Sequence, residues 1–298
     1  MILSSTKRSI LITGCSQGGA GNALALEFNA RGFRVFATAR SLQAMTNLEG
    51  TGIEPLVLDV TAHESIEALK TEVSKRTGGK LDMLFNNAGT MYEAPALEAD
   101  PIRIRQMYDT NVFGLFDMVT AFTPLLIAAV PNAGQKPTIV NVASIVARIP
   151  FPFASAYNAS KAAVSSYSDN LRLELEPLGI RVVTLFMGEV STGLMLADNI
   201  SFGPDSLYAE LEAKVKERSL QHAKTSIRPQ PFAQQVVDGV LKPKADYLWK
   251  GTNAFVIWFL NAVGPRKVFD SLLKSAVGLN QGELCKGIFE RGQKLVKG

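Results

Sequence analysis

A short apolar run at residues 8–13 ends in the turn Thr13-Gly14-Cys15-Ser16-Gln17-Gly18-Gly19-Ala20-Gly21. An amphipathic segment carrying Leu24, Leu26, Phe28 and Ala30 follows and stops at Gly32. No other stretch restricts the fold as much. The run reads as a buried strand and the segment as a helix. Glycines between them let a backbone approach a phosphate, and a helix N-terminus offers unpaired N–H groups and the positive end of its dipole. The pattern predicts a dinucleotide-phosphate cradle at the start of an α/β sheet. A tight turn that needs positive φ is the other reading of the same glycines.

The rest of the chain repeats the alternation. Residues 33–39, 54–58, 81–85, 138–142, 180–185 and 245–249 read as further strands, with helical patterns between them. Strands that alternate with helices give a parallel, doubly wound sheet, here of about seven strands with helices on both faces. No repeat or low-complexity linker interrupts 298 residues, so one Rossmann-type domain is expected. Within it, 194–231 reads as a substrate lid and 249–298 as an apolar helical extension. Thr61 and Glu64 form a capping-box pattern.

Polar and small residues directly after parallel strands lie at the ligand edge of such a sheet. Arg40 ends the second strand, where an NAD site usually carries a carboxylate for the ribose 2′-OH. A guanidinium suits a 2′-phosphate instead, which favours NADP(H); a solvated surface arginine is the alternative. Asp59 follows the third strand and is either an adenine acceptor or a turn residue. Asn86-Asn87-Ala88-Gly89 follows the fourth. Asn111 sits within a long helix, at 101–129, where asparagine is unfavourable; it is a surface residue, a kink or a water holder. Ser144 ends the fifth strand, either to hold a substrate carbonyl or as a loop serine.

Tyr157 and Lys161 lie four apart in a helical run, 155–178, and so share one face. A free phenol is a poor base at neutral pH. An ammonium roughly 4 Å away, at an effective dielectric of about 20, favours the phenolate by up to about 4 kcal/mol, or roughly three pKa units. The expectation is that Lys161 brings Tyr157 into the working range of a general acid or base.

Taken in order, these pieces closely resemble the short-chain dehydrogenase/reductase family, from about residue 8 to 195. They are Thr13-Gly14…Gly19-Ala20-Gly21, Asp59, Asn86-Asn87-Ala88-Gly89, Asn111, Ser144, Tyr157-x-x-x-Lys161 and Val190-x-Thr192. The resemblance implies Tyr157 as proton donor or base, and Lys161 as its activator and a ribose ligand. It implies Ser144 as the carbonyl-orienting group and Asn111 as the holder of a relay water. Gly14, Ser16, Gly19 and Gly21 would cradle the pyrophosphate. Asp59 and Val60 would flank the adenine, Asn87 and Ala88 the ribose, and Val190 and Thr192 the carboxamide. The glycine loop has one residue more than the family pattern, placed among residues 15–18. Met187 stands where the family has proline before Gly188, which predicts a slacker loop. The glycine loop, the end of the second strand and the extended C-terminus are similar to the fungal NADPH-dependent 1-acyldihydroxyacetone-phosphate reductase subgroup. Related patterns resemble hydroxysteroid dehydrogenases and natural-product ketoreductases.

Composition limits the alternatives. With 47% hydrophobic residues and two cysteines, Cys15 and Cys285, the chain can bury a core without disulfides. The net charge is +4 with no dense basic block, so nucleic acid is not an expected partner. No metal ligand set is assigned. The start, 1–9, carries no secretory pattern, and no spanning helix is expected. The run 254–260 is hydrophobic all round, with Trp258 inside it, Lys250 before it and Arg266-Lys267 after it. It predicts either an interfacial anchor, on endoplasmic reticulum or lipid droplets from the cytoplasmic side, or a helix buried over the pocket or in a partner copy. Lys214, Lys216 and Arg218 either meet a substrate phosphate or form a solvated face. Residues 151–153 (Phe-Pro-Phe) are expected as an apolar pocket wall. The leading expectation is an NADPH-dependent reductase of a lipophilic ketone, forming a homodimer or homotetramer. A non-catalytic nucleotide-binding protein and a membrane-surface protein are the readings of other classes.

Overall fold

The computed structural model describes residues 7–132 and 134–297; most of the N-terminal stretch read above (1–6) lies outside them. The strands are β1 (Ser9–Ile12), β2 (Arg34–Ala39), β3 (Glu54–Val57), β4 (Met83–Asn86), β5 (Thr138–Ser144), β6 (Arg181–Met187) and β7 (Tyr247–Lys250). They form one seven-stranded sheet in the order β3-β2-β1-β4-β5-β6-β7. Every pairing is parallel. The order reverses between β1 and β4, and the crevice at that switch point is where such sheets bind ligands.

Alternate strand residues go to opposite faces. Ile10 and Ile12 join one core, with Phe28 of α1 (Ala20–Ala30) and Phe232 and Val236 of α7 (Pro229–Val240). Leu11 joins the other, with Leu69 of α2 (His63–Thr77), Phe122 of α4 (Gly114–Ala129) and Val164 of α5 (Ser155–Leu175). The five inner strands are buried on both faces, which is why they read as apolar runs rather than as alternation.

Local chemistry sets the helix ends. Asp100 caps α3 (Pro101–Tyr108): its carboxylate accepts from Ile102 N at 2.8 Å, and Pro101 fills the first turn. Gly78, at φ 66°, closes α2 after Lys75 and Arg76. The capping box does not form. The α2 N-cap is Ala62, and the Thr61 hydroxyl turns back to donate to Asp59 Oδ1 at 2.7 Å.

Between α3 and α4 the chain makes a π-helical turn, Asp109–Phe113. The run Pro101–Ala129 is 29 residues and, by length and composition, apolar enough to cross a membrane, contrary to the sequence expectation. Its apolarity serves the core: α4 packs on the sheet and on α2. The remaining helices are α6 (Glu212–Thr225), α8 (Ala254–Val263), α9 (Asp270–Ala276) and α10 (Gly282–Lys297).

Candidate active site

At the switch point lies a cleft of about 1210 Å³. That exceeds the roughly 300–1,000 Å³ of a pocket for one drug-sized ligand and suits a dinucleotide with a substrate beside it. Gly14, Ser16, Gly19, Arg40, Asp59, Val60, Asn87, Ala88, Ser144, Tyr157, Lys161, Val190 and Thr192 all line it. Gly21 and Asn111, of the residues picked out in the sequence, stand behind the wall.

Close backbone packing explains the glycines. A Cβ on Gly14 would lie 2.8 Å from Ala88 Cα, and one on Gly21 would lie 2.4 Å from the Gly14 carbonyl oxygen. Thr13 joins this turn to the loop after β4: its Oγ1 accepts from Asn87 N at 3.0 Å and from Ala88 N at 2.9 Å. Asn87 Nδ2 returns a bond to the Thr13 carbonyl at 2.8 Å. The extra loop residue is taken up in an exposed bulge at residues 16–18, with Gly18 at φ 78° and Gln17 N donating to the Ala44 carbonyl. Helix α1 has no side-chain cap and no acidic residue in its first turn. Its leading N–H groups remain available to an anion. Arg40, exposed and without an acidic partner among the described residues, faces the same cleft. These residues fit a dinucleotide that carries a 2′-phosphate. Asp59 is held below the usual carboxylate range, first by the Thr61 N–H and hydroxyl.

The loop after β6 is not slack. Met187 extends the strand and pairs with Ser144. Gly188 N donates to Lys250 O at 2.7 Å, and Glu189 and Thr252 exchange backbone bonds at 3.0 and 3.1 Å. Backbone hydrogen bonds between this loop and the turn after β7 do the work expected of a proline.

Tyr157 is 7% exposed and packs with Met107 and Ala154. Burial pushes its phenol up to about 12; the Ser144 hydroxyl opposes the shift, and the carboxylate of Glu93 adds to it. Lys161 does not supply the expected activation. Its Nζ donates to the Val142 carbonyl at 2.8 Å and lies 5.9 Å from the Tyr157 ring centre. Burial pushes the ammonium down to about 8. The i, i+4 spacing brings the two side chains to one face, but a buried site weakens both charged forms.

Asn111 is 1% exposed. Its Oδ1 accepts from Thr90 N at 2.8 Å, and its Nδ2 donates to Thr90 O and to Ser160 Oγ. The π-helical turn therefore anchors the loop after β4 to α5, one residue from Lys161. Gly114 lets the start of α4 pack on the loop after β3, since a Cβ there would stand 2.6 Å from the Val60 carbonyl oxygen.

Two acid–base pairs near the cleft escaped the sequence reading. Glu93 and Arg218 form a buried ion pair, and the Arg218 guanidinium also lies 4.3 Å from the Phe151 ring centre. Arg218 Nη1 donates to the Pro152 carbonyl at 3.3 Å. This pair ties α6 to the loops after β4 and β5. Arg218 is thus neither solvated nor free for a phosphate; Lys214 and Lys216 are also paired, with Glu217 and Glu212. Phe151 lines the cleft, while Phe153, at φ 69°, packs behind it on Phe202 and Tyr208. His222 Nδ1 lies 3.7 Å from Glu189 Oε2 at the wall. No short-range motif joins partners 125 residues apart, so only the fold could pair Glu93 with Arg218.

Glu93 gives a first expected outcome. Glu93→Gln keeps an acceptor for Arg218 and removes a charge that raises Tyr157. The alkaline limb of the pH–rate profile is expected to move to lower pH. An unchanged profile would show that Glu93 does not reach the phenol electrostatically.

The short chain dehydrogenase family model matches residues 8–200. The chain is 37% identical to the short-chain dehydrogenase ptmH of Penicillium ochrochloron, over 92% of this chain and 99% of that one. It is 47% identical to the NADPH-dependent 1-acyldihydroxyacetone phosphate reductase of Schizosaccharomyces pombe, over 62% of this chain and 61% of that one. A short chain dehydrogenase from Burkholderia cenocepacia, solved in complex with NADP, superposes with a TM-score of 0.69 at 26% identity, covering 90% of this chain and 97% of that one.

Proposed function

This chain belongs to the short-chain dehydrogenase family of oxidoreductases, which bind NAD(P), and we propose that it reduces a ketone on a lipophilic substrate with NADPH. One observation carries the reading. Ser144, Tyr157 and Lys161 meet on the wall of a cleft that also runs over the uncapped start of α1 and past Arg40. Tyr157 donates the proton to the carbonyl oxygen, and a phenol held near 12 is fully protonated at neutral pH. Ser144 orients that oxygen. Lys161 sits beneath them as a buried hydrogen-bond donor. The nicotinamide supplies the hydride. Gly14, Ser16 and Gly19 hold the pyrophosphate, and Gly21 supports them from behind. Asp59, Val60, Asn87 and Ala88 hold the adenosine half, Val190 and Thr192 the carboxamide, and Arg40 the 2′-phosphate. Asn111 acts by fixing the loop and the helix that carry these groups.

The substrate side is apolar, with Met91, Phe151, Met195, Ile257, Leu260 and Phe269 on the wall. Likeness to the yeast reductase supports an acyl-dihydroxyacetone phosphate-like ketone. Its phosphate would meet Arg103, which lines the cleft 4.0 Å over the Tyr92 ring. A natural-product ketone, steroid, terpenoid or polyketide, is the second reading; the apolar wall suits it as well. A homodimer or homotetramer through α4 and α5 is proposed from the exposed Phe113, on the turn that leads into α4, and Leu173 on α5. Residues 194–231 act as the lid over this single domain. The protein works on the cytoplasmic side of a membrane.

The test follows nicotinamide absorbance with NADPH or NADH and a panel of acyl-dihydroxyacetone phosphate, a ketosteroid, a β-keto ester and small polar ketones. Faster turnover of small polar ketones would overturn the lipophilic assignment. Arg40→Ala is expected to raise KM for NADPH about 10- to 100-fold, the worth of a hydrogen bond to a charged group, and to leave KM for NADH unchanged. A preference for NADH in the unaltered protein would overturn the role of Arg40.

A further inference from the structure

Helix α8 carries two apolar stripes. Val256, Ile257 and Leu260, at i, i+1 and i+4, line the cleft. Phe255, Trp258, Phe259 and Val263 take the other side and are 69%, 43%, 49% and 67% exposed. A helix that only roofed a pocket would carry polar residues there. The aromatic pair Phe255–Trp258 packs ring to ring at 5.6 Å in the open. Helix α9 continues the pattern: Leu273 lines the cleft, while Leu272 both lines it and is 69% exposed. Val256 is likewise both, at 54% exposure. The cleft therefore opens between α8 and α9, within an apolar surface.

The charge beside this surface is one-sided. Arg266, Lys267 and Lys274 are exposed and have no acidic partner among the described residues. Asp270 is the one acid in residues 251–281. A second copy would have to bury these cations against acids that its own matching face lacks. An anionic lipid surface answers both the aromatic stripe and the cations. With 10 residues α8 is too short to span a bilayer, so it can only lie along one.

We infer that α8 and α9 dock on an anionic lipid surface, and that the cleft opens into it between Val256 and Leu272. The portal rests on the proposed function, because it gives an apolar ketone a route to Tyr157 without crossing water. Docking itself does not depend on that reading.

The experiment is co-sedimentation of the full chain with phosphatidylcholine vesicles, with and without phosphatidylserine. The controls are Phe255→Ser/Trp258→Ser/Phe259→Ser, which leaves the cleft wall intact, and Arg266→Gln/Lys267→Gln. The unaltered chain is expected to bind the mixed vesicles. The triple variant should partition at least about tenfold less, and the double variant should lose most of the preference for phosphatidylserine. The triple variant should keep its turnover of a water-soluble ketone and lose rate on a vesicle-embedded one. Unaltered chain left in the supernatant, or equal binding by the triple variant, overturns docking. A dimer in sedimentation velocity that the triple variant converts to monomer assigns the face to a second copy and also overturns it. Vesicle binding without any ketone turnover would refute the proposed function and leave docking standing.

Discussion

Tyr157→Phe is expected to lower carbonyl reduction by about 10²- to 10⁴-fold, the span of a positioned general acid, with little change in NADPH binding. The phenol is the acid placed to meet a carbonyl held by Ser144, and it is buried among Met107 and Ala154. Phenylalanine keeps that ring packing, so the fold and the dinucleotide half of the cleft stay as they are. The lost hydroxyl leaves Ser144 with the Met187 carbonyl and the Val146 N–H as partners. The serine thus remains satisfied, and little stability is lost. Steady-state kinetics and fluorescence titration with NADPH separate the two effects. Retention of more than about a tenth of the rate would remove Tyr157 from its role; lost NADPH binding would mean that the ring is a cofactor support instead.

The sequence made the sheet legible because its inner strands are buried on both faces. Runs such as Ile10-Leu11-Ile12 can be nothing else between a polar start and a glycine turn. The cleft was legible for the same reason: residues directly after parallel strands converge at one edge, which places Gly14, Arg40, Asp59, Asn87, Ser144 and Val190 together. Three things were hidden. The direction of the Tyr157 and Lys161 shifts depends on burial, which a spacing of four does not report. The Glu93–Arg218 pair depends on α6 packing against the loop after β4. The Thr61 pattern gave way because the Thr61 hydroxyl donates to Asp59 Oδ1 instead of accepting from the N–H groups that open α2. The 254–260 run was ambiguous between anchor and pocket roof, and α8 explains why: its two sides face different surroundings.

Lys161→Met is expected to lower turnover, by removing the buried donor beneath Ser144 and Tyr157, while leaving the protein at least as stable at pH 7. The ammonium is buried with one hydrogen-bond acceptor, Val142 O, and its pKa falls from 10.5 to about 8. A shift of that size corresponds to roughly 3 kcal/mol of disfavour for the charged form. The sign follows from the proton count. Below about 8 the lysine is protonated in both states, and the folded chain bears the cost in full. Between about 8 and 10.5 the unfolded chain binds the extra proton, so native stability rises with pH. Methionine removes the charge and keeps most of the volume, but leaves the Val142 carbonyl unpaired, at roughly 1–3 kcal/mol. Near neutral pH the two terms nearly cancel or favour methionine; toward pH 10 the unaltered protein gains. Urea unfolding of both proteins across that range measures the difference directly. A gap that stays constant with pH would mean that Lys161 titrates near its ordinary value, and that its place beneath Tyr157 carries no cost in stability.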